Sequence, residues 1–232
     1  MQRFYSDTPL PIDLTIDCMD QVHQMTRVLR LKEWDEVIFF DGDGSETLYE
    51  IIQIEKKRIF LRGKDRYFPE GREPRRNITL YQALPNKHEK IEWIIQKAVE
   101  VGIRRIVFFR SDRSQKLMLS DAKKRRYQLI AREALEQCGG LVPLEIEWHD
   151  TLSDPLLQRP GKHHVLHTAA QSSRFGDIVW DQIHLWVGPE GGWSEGEIMK
   201  MGDYGFIINQ FSQRILRTET AGIVVAYGLI HG

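Results

Sequence analysis

Cysteine is scarce in these 232 residues: Cys18 and Cys138 lie far apart and form no CxxC unit, so neither a disulfide framework nor a zinc knuckle is expected. Both thiols are read as reduced. Long apolar runs are also missing: the stretch Gly222–Ile230 reaches only half of the roughly 20 residues that a membrane-spanning helix needs. The opening segment MQRFYSDTPLPIDL is interrupted by Asp7, Pro9, Pro11 and Asp13 before a signal peptide could form. A cytoplasmic protein with no membrane partner is therefore expected. Charge of one sign is absent overall, with 32 Lys plus Arg against 33 Asp plus Glu and a net charge of −1, so the total names no partner. There is no internal repeat and no low-complexity tract. What is present, 41% apolar and 28% charged residues, excludes disorder as the main state, and the length suits one large or two unequal domains.

The charge is unevenly distributed. Lys56 to Arg76 holds nine basic and three acidic residues, and Arg104 to Arg132 ten basic and two acidic ones, so two segments of net +6 and +8 sit in a remainder of net −15. Such a pattern suits a face that binds a polyanion; solvated helix and loop surfaces are the plainer alternative.

Val37–Phe40, Leu48–Ile54 and Arg58–Leu61 read as short strands separated by the turn clusters Asp41-Gly42-Asp43-Gly44 and Glu55-Lys56-Lys57. Ahead of them, Asp20 to Arg30 places Val22, Met25, Val28 and Leu29 on a helical stripe. Lys64 to Asn77, with Pro69, Gly71 and Pro74 among many charges, has the composition of a linker, which puts a β-rich domain at 1–70 and a second domain at 71–232. From there strands and helices alternate. Ile78–Leu84, Ile103–Phe109, Leu144–Trp148, His164–His167, Ile183–Val187 and Phe206–Ile208 read as strands. Helices are expected over Lys87–Val101, from Ser120 or Asp121 to Cys138, from Ser194 and from about Thr218. This alternation predicts an α/β domain with a mostly parallel sheet, helices on both faces, and ligands at the carboxyl ends of the strands.

Two local signals carry chemistry. Gly188-Pro189-Glu190-Gly191-Gly192 follows an apolar strand and precedes Ser194-Glu195-Gly196-Glu197, whose Ser194 and Glu197 form a capping box. Glycines allow a backbone to approach a ligand closely. The loop lacks the Gly-Lys-Ser/Thr ending of a phosphate cradle, and its acidic residue favours a ligand bearing positive charge or hydroxyl donors. A tight strand-to-helix turn is the plainer reading. The second signal, Gln213-Arg214-Ile215-Leu216-Arg217-Thr218-Glu219-Thr220-Ala221, enters an apolar helix that Thr218 or Thr220 can cap. The alternative there is a capped helix with two solvated arginines.

Taken together the segments resemble the RsmE family of SPOUT-class methyltransferases, which act on uracil N3 of 16S rRNA. The resemblance rests on Arg3-Phe4-Tyr5, His23 with Val28-Leu29-Arg30, Lys87 with Glu92 and Gln96-Lys97-Ala98, and Glu100-Val101-Gly102. It continues through Arg113-Ser114, Glu133-Ala134 with Glu136-Gln137, Gly188 to Gly192, and Arg214 to Ala221. Two positions depart from the family pattern: Gly140 stands where an arginine is usual, and Phe211-Ser212 where Leu-Gly is usual. The resemblance implies an N-terminal PUA-like β-barrel for RNA, a SPOUT-type domain whose chain end forms a trefoil knot, and a homodimer. It also implies S-adenosylmethionine held by Leu166, His167, Val187, Gly188, Pro189, Glu190, Gly191, Gly192, Ile215, Leu216, Arg217 and Thr218. The implied partner is 16S rRNA within the 30S subunit, with Arg3, His23, Arg27, Arg30, Arg110 and Arg113 joining the basic segments as phosphate contacts.

Uracil N3 becomes a good nucleophile only when its imide proton leaves, so a cation near O2 or O4 is needed. Arg214 and Arg217 suit that role, because guanidinium keeps its charge and forks toward carbonyl oxygens. Glu219 or solvent is the expected proton acceptor, although a position at a helix N-terminus favours the ionised, weakly basic carboxylate. His163, His164 and His167 alternate across a strand without nearby cysteine, so no metal site is expected. Of Trp34, Trp93, Trp148, Trp180, Trp186 and Trp193, most are expected in the core or an interface, with Trp193 as the base-stacking candidate. A non-catalytic RNA-binding assembly factor, and a SPOUT enzyme acting on another RNA such as tRNA, are the alternatives.

Overall fold

The computed structural model describes residues 1–170 and 182–232; the expectation for Trp180 lies outside the described residues. The chain divides into two compact units, Met1–Glu73 with Leu135–Val142, and Pro74–Ala134 with Pro143–Gly232. The division falls at Glu73/Pro74, three residues beyond the boundary placed from composition. A short return segment, Leu135–Val142, joins the first unit, which a linear reading of composition does not anticipate.

In the first unit β1 (Gln2–Tyr5), β2 (Asp13–Ile16), β3 (Glu36–Phe40), β4 (Glu46–Ile54) and β5 (Ile59–Tyr67) form one curled sheet in the order β1-β3-β4-β5-β2. β1 lies parallel to β3 and the other pairs are antiparallel. Alternation along the strands sends Phe4, Val37, Phe39, Tyr49, Ile51, Ile59 and Leu61 to one face, where they make the core. The segment read as a single helix is α1 (Met19–His23) followed by a π-helical turn, Gln24–Val28, and it plugs this core with Val22 and Met25. β5 extends six residues past Leu61, so the first part of the expected linker is strand. Its charged residues do not disfavour pairing, because Arg62, Lys64, Asp65, Arg66 and Tyr67 are exposed and only the backbone is used.

The second unit carries a six-stranded, wholly parallel sheet. β6 (Asn77–Ala83), β7 (Arg105–Phe109), β8 (Glu145–His149), β9 (Lys162–Leu166), β10 (Gln182–Val187) and β11 (Ile207–Asn209) lie in the order β11-β9-β10-β6-β7-β8. Because both faces are covered, the inner strands read as near-continuous apolar runs. On one face Tyr81, Val107, Phe109, Val165 and Trp186 pack with Leu156 and Leu157 of α4 (Asp154–Leu157) and Met201 of α5 (Glu195–Asp203). α2 (His88–Val101) packs against α6 (Thr218–His231), and α6 also packs on β6 and β10. The apolar stripe of α2 is Ile91, Ile94, Ile95 and Ala98, all buried. α6 approaches so closely that a Cβ on Gly222 would stand 3.0 Å from Leu80 Cδ1. The last helix, α3 (Asp121–Cys138), starts with the Ser120 hydroxyl accepting from the Lys123 amide and stops at Gly139, whose φ of 86° suits a residue without Cβ.

Candidate active site

β9, β10 and β11 end side by side, and their carboxyl ends open into a cavity of about 680 Å³. Leu166, Val187 and Asn209 are the last strand residues on its wall. The rest of the wall comes from the glycine loop after β10 and the loop that leads into α6. Every residue assigned above to the cofactor, from Leu166 and His167 through Val187–Gly192 to Ile215–Thr218, lines this single cavity, as do Arg214 and Glu219. A crevice at the carboxyl ends of parallel strands is where an open α/β sheet offers its binding site.

The glycine loop is held from three directions. The Ser194 hydroxyl accepts from the Glu197 amide at 3.1 Å while Glu197 Oε2 accepts from the Ser194 amide at 2.8 Å, completing the capping box at α5. The buried Glu197 carboxylate also accepts from the Ser111 hydroxyl at 2.7 Å and the Asp112 amide at 3.1 Å, tying the loop to the end of β7. Trp193 is only 6% exposed; its indole donates to the Leu166 carbonyl at 3.0 Å and stacks on Phe109. It is a wall of the pocket, so the base-stacking role expected for it is corrected: an indole this buried and stacked on Phe109 offers no open face to a base. A Cβ on Gly188 would stand 3.1 Å from the Trp193 ring, which explains glycine there.

Neither Thr218 nor Thr220 caps α6, because Arg217 occupies the N-cap position and makes no side-chain cap. The Thr218 hydroxyl instead donates to the Gly188 carbonyl at 2.6 Å and accepts from Gln82 Nε2 at 2.9 Å. It thus joins the helix start to the glycine loop and to β6. Next to it, Lys90 of α2 donates to Glu190 at 2.7 Å and lies 3.5 Å from Glu219 Oε2, an ion pair without a hydrogen bond. Burial alone would push the Glu190 carboxyl up, but Lys90 and the Asn86 amide outweigh it and hold it below the ordinary carboxylate range. Burial likewise opposes the charge on Lys90, and the two carboxylates overcome it and push the ammonium up.

Arg214 and Arg217 are exposed at the cavity rim, and among the described residues neither guanidinium has a hydrogen-bond or ion-pair partner. The Arg214 amide donates to the Ser212 hydroxyl at 3.1 Å, so the unusual Phe211-Ser212 pair shapes the approach to the rim.

The expected phosphate contacts separate. Arg113 lines the cavity and donates to the Gly191 carbonyl at 3.1 Å, and Arg110 reaches the Leu117 carbonyl at 3.4 Å. His23, Arg27 and Arg30 are exposed on the first unit. Arg3 is not available. Its side chain is 11% exposed, lies over the Phe40 ring, and donates to the buried Glu46 carboxylate at 2.7 Å and to the Gly140 carbonyl at 2.9 Å. The expectation for Arg3 is corrected accordingly: a guanidinium already committed to a buried carboxylate belongs to the fold rather than to phosphate.

His163 and His184 stack with ring centroids 4.5 Å apart beneath the sheet. The His163 Nδ1 accepts from the Trp186 indole at 3.0 Å, and the His184 Nε2 donates to the Pro160 carbonyl at 2.9 Å. Burial pushes both imidazoles down, His184 to about 4. Among the described residues no group of three His, Cys, Asp or Glu is arranged to hold a metal ion.

Residues 72–230 match the family model described as RNA methyltransferase domain, and residues 19–62 match the RNA methyltransferase PUA domain. The Bacillus subtilis ribosomal RNA small subunit methyltransferase E is 32% identical over 218 residues, covering 87% of this chain and 84% of that protein. The chain belongs to the RsmE family. The RsmE of Neisseria gonorrhoeae, solved bound to S-adenosylmethionine, superposes with a TM-score of 0.86 at 28% identity, covering 97% of this chain and 95% of that one. A Legionella pneumophila methyltransferase, solved with the same cofactor, gives 0.87 at 28% identity over 98% and 96%. Against this RsmE frame, the sequence reading missed Lys90, Asn209 and Gln82. Asn209 ends β11 and Gln82 lies next to the end of β6, so strand-end geometry is the signal that points to these two, whereas Lys90, off the apolar stripe in the first turn of α2, carries no local signal.

Proposed function

We propose that this chain methylates N3 of a uridine in the 16S RNA of the small ribosomal subunit, using S-adenosylmethionine, as a cytoplasmic homodimer that acts on the assembled 30S particle. The observation that carries the reading is the convergence of both sequence signals on one cavity whose rim presents two unpaired guanidinium groups. In this reading the loop into α6 is part of a trefoil knot, the first unit holds RNA and the second carries out the methyl transfer.

The cavity fits the cofactor by its donor set. The main-chain groups of Ile215 and Leu216 make no hydrogen bond to protein among the described residues, which leaves amides and carbonyls for an adenine edge. Leu166, Val187, Leu216 and Val225 supply apolar walls, and Glu190 and Glu219 supply the negative charge that suits a sulfonium. When bound, S-adenosylmethionine provides a methyl group on positively charged sulfur whose departure leaves a neutral thioether, so no general acid is required.

The work of the chain is at the acceptor. Arg214 and Arg217, facing solvent at the rim, would direct guanidinium N–H groups to the uracil carbonyl oxygens and stabilise the imide anion as N3 loses its proton. Glu219, at the start of α6 and beside Lys90, lines the cavity and is the acidic side chain that would take that proton, with water as the competing acceptor. Trp193 and the glycine loop, which line the cavity, would hold the cofactor beside the acceptor, and such positioning supplies much of the acceleration in a displacement.

The test replaces Arg214 and Arg217 singly by Ala and measures methyl incorporation into undermethylated 30S subunits, together with cofactor affinity by calorimetry. Each variant is expected to lose about 100-fold or more in turnover, on the scale of an oxyanion-stabilising donor, while affinity for the cofactor changes less than about threefold. Unchanged turnover in both variants rejects the electrostatic role. Mapping the labelled base then identifies the methylated position.

A further inference from the structure

Trp34 stands out in the first unit. The turn Lys32-Glu33-Trp34-Asp35 closes through the Asp35 amide donating to the Lys32 carbonyl at 3.2 Å, with Trp34 in its third position at φ 76°. That is the position where a turn of this kind calls for glycine, because a Cβ clashes with the neighbouring backbone there. A bulky residue held in the left-handed region is an outlier that costs on the order of 1–2 kcal/mol. The indole recovers nothing from the core: Trp34 is 69% exposed. Its main chain is nonetheless firmly seated, since the Trp34 amide donates to the Ile51 carbonyl at 2.8 Å and the Ile51 amide to the Asp35 carbonyl at 3.0 Å.

The surroundings carry more positive than negative charge. Arg27, Arg30 and Lys32 are its exposed neighbours in sequence. The Ile54 amide donates to Glu33 Oε1 at 3.0 Å, which brings the hairpin carrying Lys56, Lys57 and Arg58, all exposed, against the same turn. The acids of the turn are tied to main chain at the surface, the exposed Glu33 accepting from Ile54 and Asp35 from the Lys32 amide at 2.7 Å, and the exposed Glu36 that follows pairs with Lys64 at 3.0 Å. Glu55 is exposed on the hairpin beside them. A rigid, solvent-facing aromatic ring amid cations matches the combination used for single-stranded nucleic acid, in which bases stack on the ring and phosphates track the charge. The segment also falls within residues 19–62, the PUA match.

We infer that Trp34 is a base-stacking platform for an unpaired nucleotide of the RNA substrate, with Arg27, Arg30, Lys32 and the Lys56–Arg58 hairpin neutralising the flanking phosphates. This rests on the reading of the chain as an RNA methyltransferase, and it adds a contact remote in sequence from the cavity residues. The strained turn is retained because glycine, which relaxes the backbone, removes the ring.

The experiment uses the full-length protein with two probes, protein-free 16S rRNA and a fluorescently labelled 20-nucleotide oligouridine, and compares wild type with W34G, W34A and W34F. W34G is expected to bind both RNAs about 5- to 50-fold more weakly, in the range of one lost stacked base, and to melt at a higher temperature than wild type. W34F is expected to retain most of the affinity, and the salt dependence should keep its slope in all variants because no phosphate contact is removed. Equal RNA affinity in W34G and wild type overturns the inference, and so does a W34G variant that melts lower, which would make the indole a structural element. Failure of the wild type to bind either RNA overturns the inference but not the methyltransferase reading, which methyl incorporation into 30S subunits tests separately, and binding that is indifferent to Trp34 likewise leaves that reading standing.

Discussion

At the scale of single residues, Lys90 decides how two carboxylates share a small space. Glu190 enters from the glycine loop and Glu219 from the first turn of α6, and the ammonium between them is what permits both to line the cavity. Replacing it with Met removes the charge while keeping most of the stem. The Glu190 carboxyl is held low in the folded chain, so its contribution to stability is present above the ordinary carboxylate value and is lost as the pH falls through the lowered one. K90M is therefore expected to melt a few degrees lower than wild type at pH 7, with a gap that narrows as the pH falls below the ordinary carboxylate value. Because the groups are partly exposed, the difference should stay within about 1 kcal/mol. Calorimetric melts from pH 8 down through the acid range check it, and a gap that does not narrow with acidification would assign the loss to packing of the lysine stem.

At the scale of elements, the start of α6 does more than begin a helix. The Thr218 hydroxyl is shared between the Gly188 carbonyl and the Gln82 amide, all three buried or nearly so, and this clasp holds β6, the glycine loop and the helix in one register. T218V keeps the shape and removes both hydrogen bonds, leaving a buried donor and a buried acceptor unmatched. Each such loss costs about 1–3 kcal/mol. A destabilisation of about 2–4 kcal/mol is expected by denaturant titration, with weaker cofactor binding because the loop is no longer fixed. Unchanged affinity together with lowered stability would separate the clasp from the pocket.

The elements also show what a sequence can and cannot reveal. The apolar stripe of α2, the capping box of α5 and the glycine loop were legible because each follows from local geometry: helical period, reciprocal caps, and backbone that must approach closely. The π-helical turn at Gln24–Val28 was not, since its apolar residues satisfy a helical period equally well. The extension of β5 past Gly63 was hidden because exposed edge residues carry charge and leave no alternation to read. Trp193 was assigned outward by its place beside the loop, whereas tertiary packing against Phe109 turned it inward. Trp34 was overlooked for the converse reason: only the backbone φ reveals that it occupies a glycine position. The role of Thr218 depends on Gln82, 136 residues away, and no local pattern carries a contact of that range.

For the whole molecule, the buried histidines of the parallel sheet set an acid limit. His184 and His163 stack on one another between Tyr81, Trp186 and Phe206, and His164 bonds to Asn209 on the cavity wall. Burial disfavours the charged form of all three, and the like charge of a neighbouring imidazole adds to the effect at His163 and His184. In the unfolded chain an imidazole takes up its proton near pH 6.5, while His184 in the folded chain resists until about 4. The unfolded state thus binds more protons through that interval, so stability falls as the pH drops from about 6.5 toward 4 and the histidine contribution levels off below it. Each unit of such a shift is about 1.4 kcal/mol, which makes the loss large relative to a typical folding free energy of about 5–15 kcal/mol. Melting temperature is expected to decline steeply over that range, and H184F, although destabilised by the lost bond to Pro160, is expected to show a shallower decline. An H184F profile parallel to wild type over that range would place the acid sensitivity in the other two buried imidazoles, His163 and His164, since the lowered carboxylates of Glu190 and Glu147 lose their contribution only at lower pH. Protonation of His164 keeps its Nδ1–H bond to Asn209 Oδ1 but puts charge on the buried Nε2, which has no hydrogen-bond partner among the described residues, so the cofactor site is expected to loosen before global unfolding, with cofactor affinity falling at a higher pH than secondary structure by circular dichroism.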